Sequence, residues 1–286
     1  MSDALKPALR GTPTLEITPG TSRAERNAMA WRDLREALTM WRLCWTLGAL
    51  DIRIRYRGSL IGPFWLTLST GVMVAAMGVI YSTLFKIDMH DYLPFLAISQ
   101  VLWGYLAVLV GDACAGYSAN DGLIRAVRMP FALYAARIVL RNVLVLAHNV
   151  VVIIGVDLVM WTWPGPAVLL VLPGLVIWLI DSLAITILLG AVCARFRDIP
   201  PIVASVMQMA FFVTPVIWRP HLIGPELMWV LPYNPFYSLL EVVRGPLLGE
   251  IPTGADYLSA VFYSVLLCAV TWMLFSRVRA RIAFWV

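Results

Sequence analysis

The stretch ARFRDIPPIVASVMQMAFFVTPVIWRPHLIGPELMWVLPYNPFYSLLEVVRGPLLG, Ala194 to Gly249, decides the fold of this chain. Arg195, Arg197 and Asp198 are too costly to leave unpaired in hydrocarbon, whereas Ile202 to Trp218 carries no charge and is nearly long enough to cross it. A membrane span is therefore predicted to begin just after the charges. Beyond it, prolines at 215, 220, 225, 232 and 235 forbid one continuous helix, yet Leu222, Ile223 and Leu227 to Leu231 stay strongly apolar between them. Broken apolar backbone at membrane depth survives only where it is buried in protein or lines a cavity, because lipid cannot satisfy its amides. The stretch reads as part of a pore or translocation path.

Composition agrees with a membrane setting. Of 286 residues, 60% are hydrophobic and 14% charged, with mean hydropathy +0.80, whereas an ordinary soluble domain carries about a quarter charged residues. The chain is predicted to be an all-α integral membrane protein. Its net charge of +5 does not indicate nucleic acid. The arginines are dispersed among loops, with no basic patch interleaved with base-stacking aromatics, and the membrane surface accounts for them better.

Hydropathy predicts six spans, at about 63–85, 92–113, 134–161, 167–193, 201–218 and 257–276, each near the roughly 20 residues that a bilayer needs. Of the 22 basic residues, all but Lys86, Arg219 and Arg244 fall on one side of these spans. The positive-inside rule then places both termini in the cytoplasm. Cys44, Cys114, Cys193 and Cys268 lie on that side or toward it, so reduced thiols are expected.

Residues 1–30 are polar and rich in Pro, Thr and Ala, with no apolar core for a cleaved signal, and read as a flexible cytoplasmic tail. From Trp31 an apolar stripe recurs at Leu34, Leu38, Trp41, Trp45 and Ile52, in helical steps. One amphipathic helix over 31–57 is expected, lying in the membrane interface or packed on a partner protein. In DIRIRYRGSLIGPFW, Asp51 to Trp65, the arginines cannot enter lipid, Gly58 and Gly62 loosen the helix, and Pro63 suits a first turn, so the chain turns here into its first span.

In YSANDGLIRAVRMP, Tyr117 to Pro130, Ser118 is placed to cap a short helix with Asp121 three residues on, a capping-box arrangement. Arg137, Arg141 and His148 share one face of the third span, and Asp181 lies near the middle of the fourth. Arg137 and Arg141, with Arg53, Arg55 and Arg57, are candidates for holding an anionic headgroup; the alternative is a structural polar stripe with snorkelling arginines and positive-inside anchoring. Trp65, Trp103, Tyr105, Trp178, Phe211 and Phe212 are candidates for lining a path, since aromatic faces offer sugar rings an apolar platform; packing between helices, or for Trp65 an interfacial belt, is the alternative.

Enzymatic readings find little support. No GxxxxGK[ST] is present, and Lys6 and Lys86 have no phosphate-loop context. There is no HExxH, no Cys/His zinc spacing and no paired-carboxylate motif, and the 3 histidines are scattered. Neither a metal nor a cofactor is expected in this chain.

The successive motifs FRDIPPIV, TPVIW and NPFYSLLEVVRG, in this order and spacing, resemble those of type-2 ABC exporter permeases, most closely those that export lipopolysaccharide O-antigen, capsule or teichoic acid. The segment from Arg55 to Trp65 is also similar to the run before that family's first span, with Ile61 where Leu is usual. The resemblance covers about residues 31–280. It implies a homodimeric inner-membrane permease of six spans, with two re-entrant half-helices between the fifth and sixth. It implies two copies of a separate nucleotide-binding ATPase, which would bind ATP and Mg, and a lipid-linked polysaccharide as substrate. By the same resemblance the 117–130 loop is a coupling helix, with Asn120, Asp121, Leu123, Arg125 and Arg128 as ATPase contacts, although a plain connecting loop has the same sequence features. Pro232, Tyr233, Asn234, Pro235 and Phe236 form the expected outer gate, with arms Pro225–Leu231 and Phe236–Val243 and a Glu241–Arg244 pair on the second. Within the class the alternative is a capsule or teichoic-acid exporter; outside it, a membrane enzyme acting on polyprenyl-linked sugars, which would need a carboxylate pair or metal site.

Overall fold

The computed structural model describes residues 22–55, 57, 58, 62 and 64–286, with only the backbone of Pro225 and Leu227. Most of the expected tail, 1–21, lies outside the described residues, as do Tyr56, Ser59, Leu60, Ile61 and Pro63 of the turn into the first span. Every regular element among the described residues is helical.

Helix α1, Arg23–Thr39, starts inside the stretch expected to be tail. Ser22 and Glu25 make the reason visible: the Ser22 hydroxyl accepts from the Glu25 amide at 3.2 Å, and the Glu25 carboxylate accepts from the Ser22 amide at 2.8 Å. A break at Met40 separates α1 from α2, Trp41–Arg55, so the single amphipathic helix expected over 31–57 is two. Their buried face is made of small or short residues, Ala30, Asp33, Ala37, Cys44 and Gly48, which let both helices approach α6, Phe131–Met160, closely. Trp31, Leu38, Trp41 and Trp45 face outward, each more than half exposed.

Among the described residues, five helices are long and apolar enough to cross a membrane: α3, Phe64–Phe85; α4, Met89–Cys114; α6; α7, Val171–Arg195, extended by a 3-10 turn from Pro166; and α11, Gly254–Trp285. Between α4 and α6 lies the short α5, Asp121–Ala126. The fifth expected span differs. Helix α8, Ile199–Val213, has 15 residues, about 22 Å at the helical rise, against roughly 30 Å of hydrocarbon. The expected helix to Trp218 stops because Thr214 precedes Pro215 and is driven into extended backbone, φ −84 and ψ 137. α3 and α4, and α4 and α6, meet end to start, whereas α11 runs parallel to α7, pairing Ser264 with Asp181 and Thr271 with the Ala184 carbonyl; one end of the bundle gathers the arginines and the other most of the prolines. α4 is the central post: 67% of its apolar window is buried, against 17% for α3 and α6.

The proline-rich segment folds unevenly. The expected first arm, Pro225–Leu231, is only the four-residue α9, Pro225–Met228, between 3-10 turns at Pro220–Ile223 and Leu231–Tyr233. The second arm is a full helix, α10, Pro235–Leu247, whose Asn234 cap accepts from the amides of Phe236 and Tyr237 at 3.0 and 3.4 Å. α10 packs on α4, α7 and α11. Its close approach to α7 needs Gly174, where a Cβ would lie 2.7 Å from the Val242 carbonyl oxygen.

Candidate functional site

Three groups of side chains hold the bundle where it carries charge or broken backbone. At the arginine-rich end, α2, α4 and α6 meet in a knot of arginines and aspartates. Arg137 donates to both oxygens of Asp51, Nε at 2.7 Å. Arg141 donates to Asp112 at 2.7 Å and lies 3.8 Å from Asp51; Arg55 lies 3.8 Å from Asp112. Asn142 adds a bond to Asp112 at 2.9 Å, and Arg137 reaches the Asn120 side chain at 3.4 Å. Three guanidiniums against two carboxylates leave one net positive charge. The structure thus brings together Arg55, Arg137 and Arg141 of the five headgroup candidates, each within 4 Å of Asp51 or Asp112. Arg53 and Arg57 are exposed and stand outside this knot. His148, on the same helix, instead bonds the Leu144 carbonyl at 2.7 Å and meets the Phe64 ring at 6.0 Å. Burial raises the Cys44 thiol above its usual range, opposed in part by Arg137.

Beside the knot, Asp33 of α1 is wholly buried. It accepts from the amides of Phe131 and Ala132 at 3.1 and 2.9 Å, so it caps α6 from outside, and pairs with Arg279 of α11 at 2.7 Å. The neighbouring Tyr117 phenol is pushed far up by burial first and by Asp33 second.

The 117–130 loop differs from expectation in detail. No capping box forms, because the Ser118 hydroxyl donates back to the Ala115 carbonyl at 3.3 Å and the Asn120 amide to Gly116 at 2.8 Å. Ser118–Asn120 is a 3-10 turn, and α5 follows without a side-chain cap. Asp121, Arg125 and Arg128 are exposed, Leu123 packs inward, and Arg125 donates to the Val286 carbonyl at 2.5 Å.

A cavity of about 670 Å³ opens between α4 and α8, lined by Trp103, Ala107, Val110, Met207, Gln208 and Phe211 among others, and by Phe212 at its margin. Of the path-lining candidates it gathers Trp103, Phe211 and Phe212 and no others. Tyr105 stacks on Trp178 at 5.4 Å and bonds Ser182 at 2.7 Å, while Trp178 donates to the Leu239 carbonyl at 2.7 Å. These two rings pack between helices. Trp65 is 57% exposed on the outside of α3. Asp181 accepts from Ser264 of α11 at 2.7 Å and is a structural tie between α7 and α11.

At the proline-rich end, the broken backbone after α8 is held by side chains. Tyr92 donates to the Ile217 carbonyl at 2.6 Å, Asn234 to the Thr214 hydroxyl at 3.0 Å, and Arg244 to the Pro215 carbonyl at 2.5 Å. The expected Glu241–Arg244 pair is present: Arg244, 1% exposed, donates Nε and Nη2 to Glu241 at 3.1 and 2.5 Å. Its Nη1 also reaches Ser99 at 3.0 Å, and its guanidinium sits 4.6 Å from the centre of the Phe95 ring. Arg219 meets that same ring at 5.1 Å and donates to the Asp91 carbonyl. Two of the three basic residues that depart from the positive-inside pattern are therefore engaged by α4. Of the expected gate residues, Tyr233 is 69% exposed, Pro235 is exposed, Pro232 and Asn234 are half-buried, and Phe236 packs on Trp103 at 5.5 Å.

Sequence reasoning gave no role to Asp33, Asp51, Asp112, Ser99, Phe95 or Tyr92. A signal existed for Asp112, a lone carboxylate in the apolar run LAVLVGDAC, and for Asp51, which opens the arginine-rich stretch. Ser99 and Phe95 carried none.

Comparison with known proteins falls in line with this geometry. A profile of the ABC-2 type transporter family matches residues 42–248, well over half of the chain and all three of these groups except Asp33 and Arg279. The chain is 26% identical over 196 residues, 66% of its length and 74% of the relative's, to the O-antigen export system permease protein RfbA of Myxococcus xanthus. It is 21% identical over 245 residues, 82% of its length and 90% of the relative's, to the O-antigen export system permease protein RfbA of Klebsiella pneumoniae.

Proposed function

This chain belongs to the ABC-2 type transporter family, and from that premise we propose that it is the permease subunit of an exporter that moves a lipid-linked, O-antigen-like polysaccharide outward across a bacterial inner membrane. The observation that carries the substrate class is the similarity, over 82% of the chain, to a protein named as an O-antigen export permease. The energy comes from ATP, with Mg, hydrolysed by two copies of a partner ATPase, and the chain works as a homodimer. Glycan, lipid and a second copy of this chain are its other contacts.

In this reading α8 together with 214–218 makes the fifth of six crossings, and the arginine-rich end, with both termini, is cytoplasmic. The outward-facing Trp31, Trp41 and Trp45 of α1 and α2 sit in the membrane interface, which their exposure supports. α5 and its flanks, Asn120 to Arg128, receive the ATPase stroke, and Arg137 is placed to feel it through Asn120. The α4–α8 cavity, with Trp103, Phe211 and Phe212 on its wall, belongs to the path. Arg55 and Arg141 hold the substrate's anionic headgroup, each by exchanging its 3.8 Å aspartate contact for a phosphate oxygen. Support for a re-entrant outer segment comes from contact order: Phe236 meets Trp103, while Arg244 meets Ser99 one turn nearer the proline-rich end of α4.

Everted membrane vesicles carrying the chain and its ATPase test this reading. ATP-dependent uptake of labelled lipid-linked O-polysaccharide is expected, lost when either subunit is omitted and lost on deletion of Gly122 to Ala126 with insertion intact. Uptake that is absent with both subunits, or unaffected by omitting the chain, overturns it.

A further inference from the structure

Three elements converge where the cavity ends toward the proline-rich side. Trp103 of α4 lies 5.7 Å from Phe211 of α8 and 5.5 Å from Phe236 of α10, centre to centre. Arg244 joins the same three elements a second time. Its Nη1 donates to Ser99, one turn before Trp103 on α4, and to the carbonyl of Pro215, one turn's length beyond Phe211. Arg244 itself lies two turns along α10 from Phe236, on the same face. The arginine contacts form a second layer above the three rings.

The division of its donors matters. Nε and Nη2 go to Glu241 on Arg244's own helix, whereas Nη1 makes the bonds that cross to α4 and to the end of α8. Moving α10 away from both neighbours breaks the Nη1 bonds and leaves the buried charge paired. A charge that had to lose its carboxylate in order to move would be pinned; this one is free to travel with its partner.

We infer that Arg244 is the latch of a seal formed by Trp103, Phe211 and Phe236, a positioning residue that holds the three rings together across the outer end of the α4–α8 cavity and releases them as α10 moves. The exposed Tyr233 lies outside this seal. The inference rests on the export reading only in taking the cavity as the path.

Cys114 lines the same cavity and serves as reporter. In spheroplasts expressing the full chain with Cys44, Cys193 and Cys268 replaced by serine, a membrane-impermeant maleimide added outside should leave Cys114 unlabelled at rest. Arg244→Lys keeps the charge and an ion pair with Glu241 but lacks the further nitrogen, Nη1, that reaches Ser99 and the Pro215 carbonyl. It should speed labelling by about tenfold or more, the factor expected when cross-helix hydrogen bonds to a charged group are removed from the closed state. Ser99→Ala should give a smaller rise, and Phe236→Ala, which removes a ring and leaves Arg244 in place, a large one. Should Arg244→Lys fail to accumulate, the other two variants decide. Labelling that stays at the resting level in Ser99→Ala and Phe236→Ala, or that is already fast with Arg244 and all three rings intact, overturns the latch. The assay needs neither substrate nor ATP. Seal opening as expected alongside absent glycan uptake would sink the function and leave the latch, and the reverse pattern would do the opposite.

Discussion

The arginine-rich end shares three guanidiniums among two carboxylates, with side chains 13–42% exposed and two of the pairs at 3.8 Å. The proline-rich end commits one guanidinium, 1% exposed, to a carboxylate, a hydroxyl, a backbone carbonyl and an aromatic ring. The difference follows from what each has to hold. At the first, intact helices α2, α4 and α6 need only lateral ties, and a knot short of one carboxylate can trade partners. At the second, the chain leaves helical geometry at Thr214, and its carbonyls have no helical donors. Side-chain donors must replace them at fixed positions. An exchangeable tie suits a lever; a saturated one suits a latch.

Removing Arg244 should show the contrast most strongly. Arg244→Met leaves Glu241 buried without its partner and Pro215 without its donor, and should cost about 3–5 kcal/mol, read as unfolding in detergent. Adding Glu241→Leu should restore most of that loss, since the double variant leaves no unpaired charge; equal losses in the single and double variants would mean that the pair is not the origin of the cost.

The buried exception at the other end comes next. Asp33→Ala uncaps α6 and strands Arg279, for about 2–3 kcal/mol, and should free α1 for protease cleavage before α2. Within the exchangeable knot the effect should be smaller. Asp51→Asn and Asp112→Asn should each cost about 1–2 kcal/mol, because the remaining carboxylate and water take over part of the load, and the loss should shrink with added salt. A cost equal to that of Arg244→Met would erase the distinction between the ends.

Smallest of all in stability is Trp31→Ser with Trp41→Ser, expected within about 0.5 kcal/mol since both rings face outward. The same pair should nevertheless weaken binding of an α1–α2 peptide to anionic vesicles. Unchanged vesicle binding would move this face from the membrane to a protein partner.

What was legible in the sequence was whatever depends on local pattern. Five of the six expected spans coincide with helices long and apolar enough to cross a membrane, four of them to within a few residues while the last runs on past 276 to Trp285, and Glu241 and Arg244, three apart, paired as their spacing predicts. Asn234 and Pro235, expected in the outer gate, cap and start α10. The failures have two causes. Local competition decided α8 and α5: Thr214 before proline ended the helix early, and Ser118 spent its hydroxyl on the Ala115 carbonyl instead of capping. Partners distant in sequence decided the rest. Ser99 and Arg244 lie 145 residues apart, Asp33 and Arg279 246 apart, and no periodicity links them. The aromatic stripe over α1 and α2 faces outward, and the small residues opposite it pack on the bundle; what the stripe did not reveal is the break at Met40.

Hydrogen exchange on the full chain in complex with its ATPase tests the contrast between the two ends most directly. Without nucleotide, amides of 235–247 should exchange slowly while those of 220–230 exchange fast. ATP should first raise exchange at 118–126 and 41–55, and only afterwards at 235–247. Exchange at 235–247 as fast as at 220–230 in the resting complex, or rising before 118–126 responds, would contradict a latched proline-rich end driven from an exchangeable arginine-rich one.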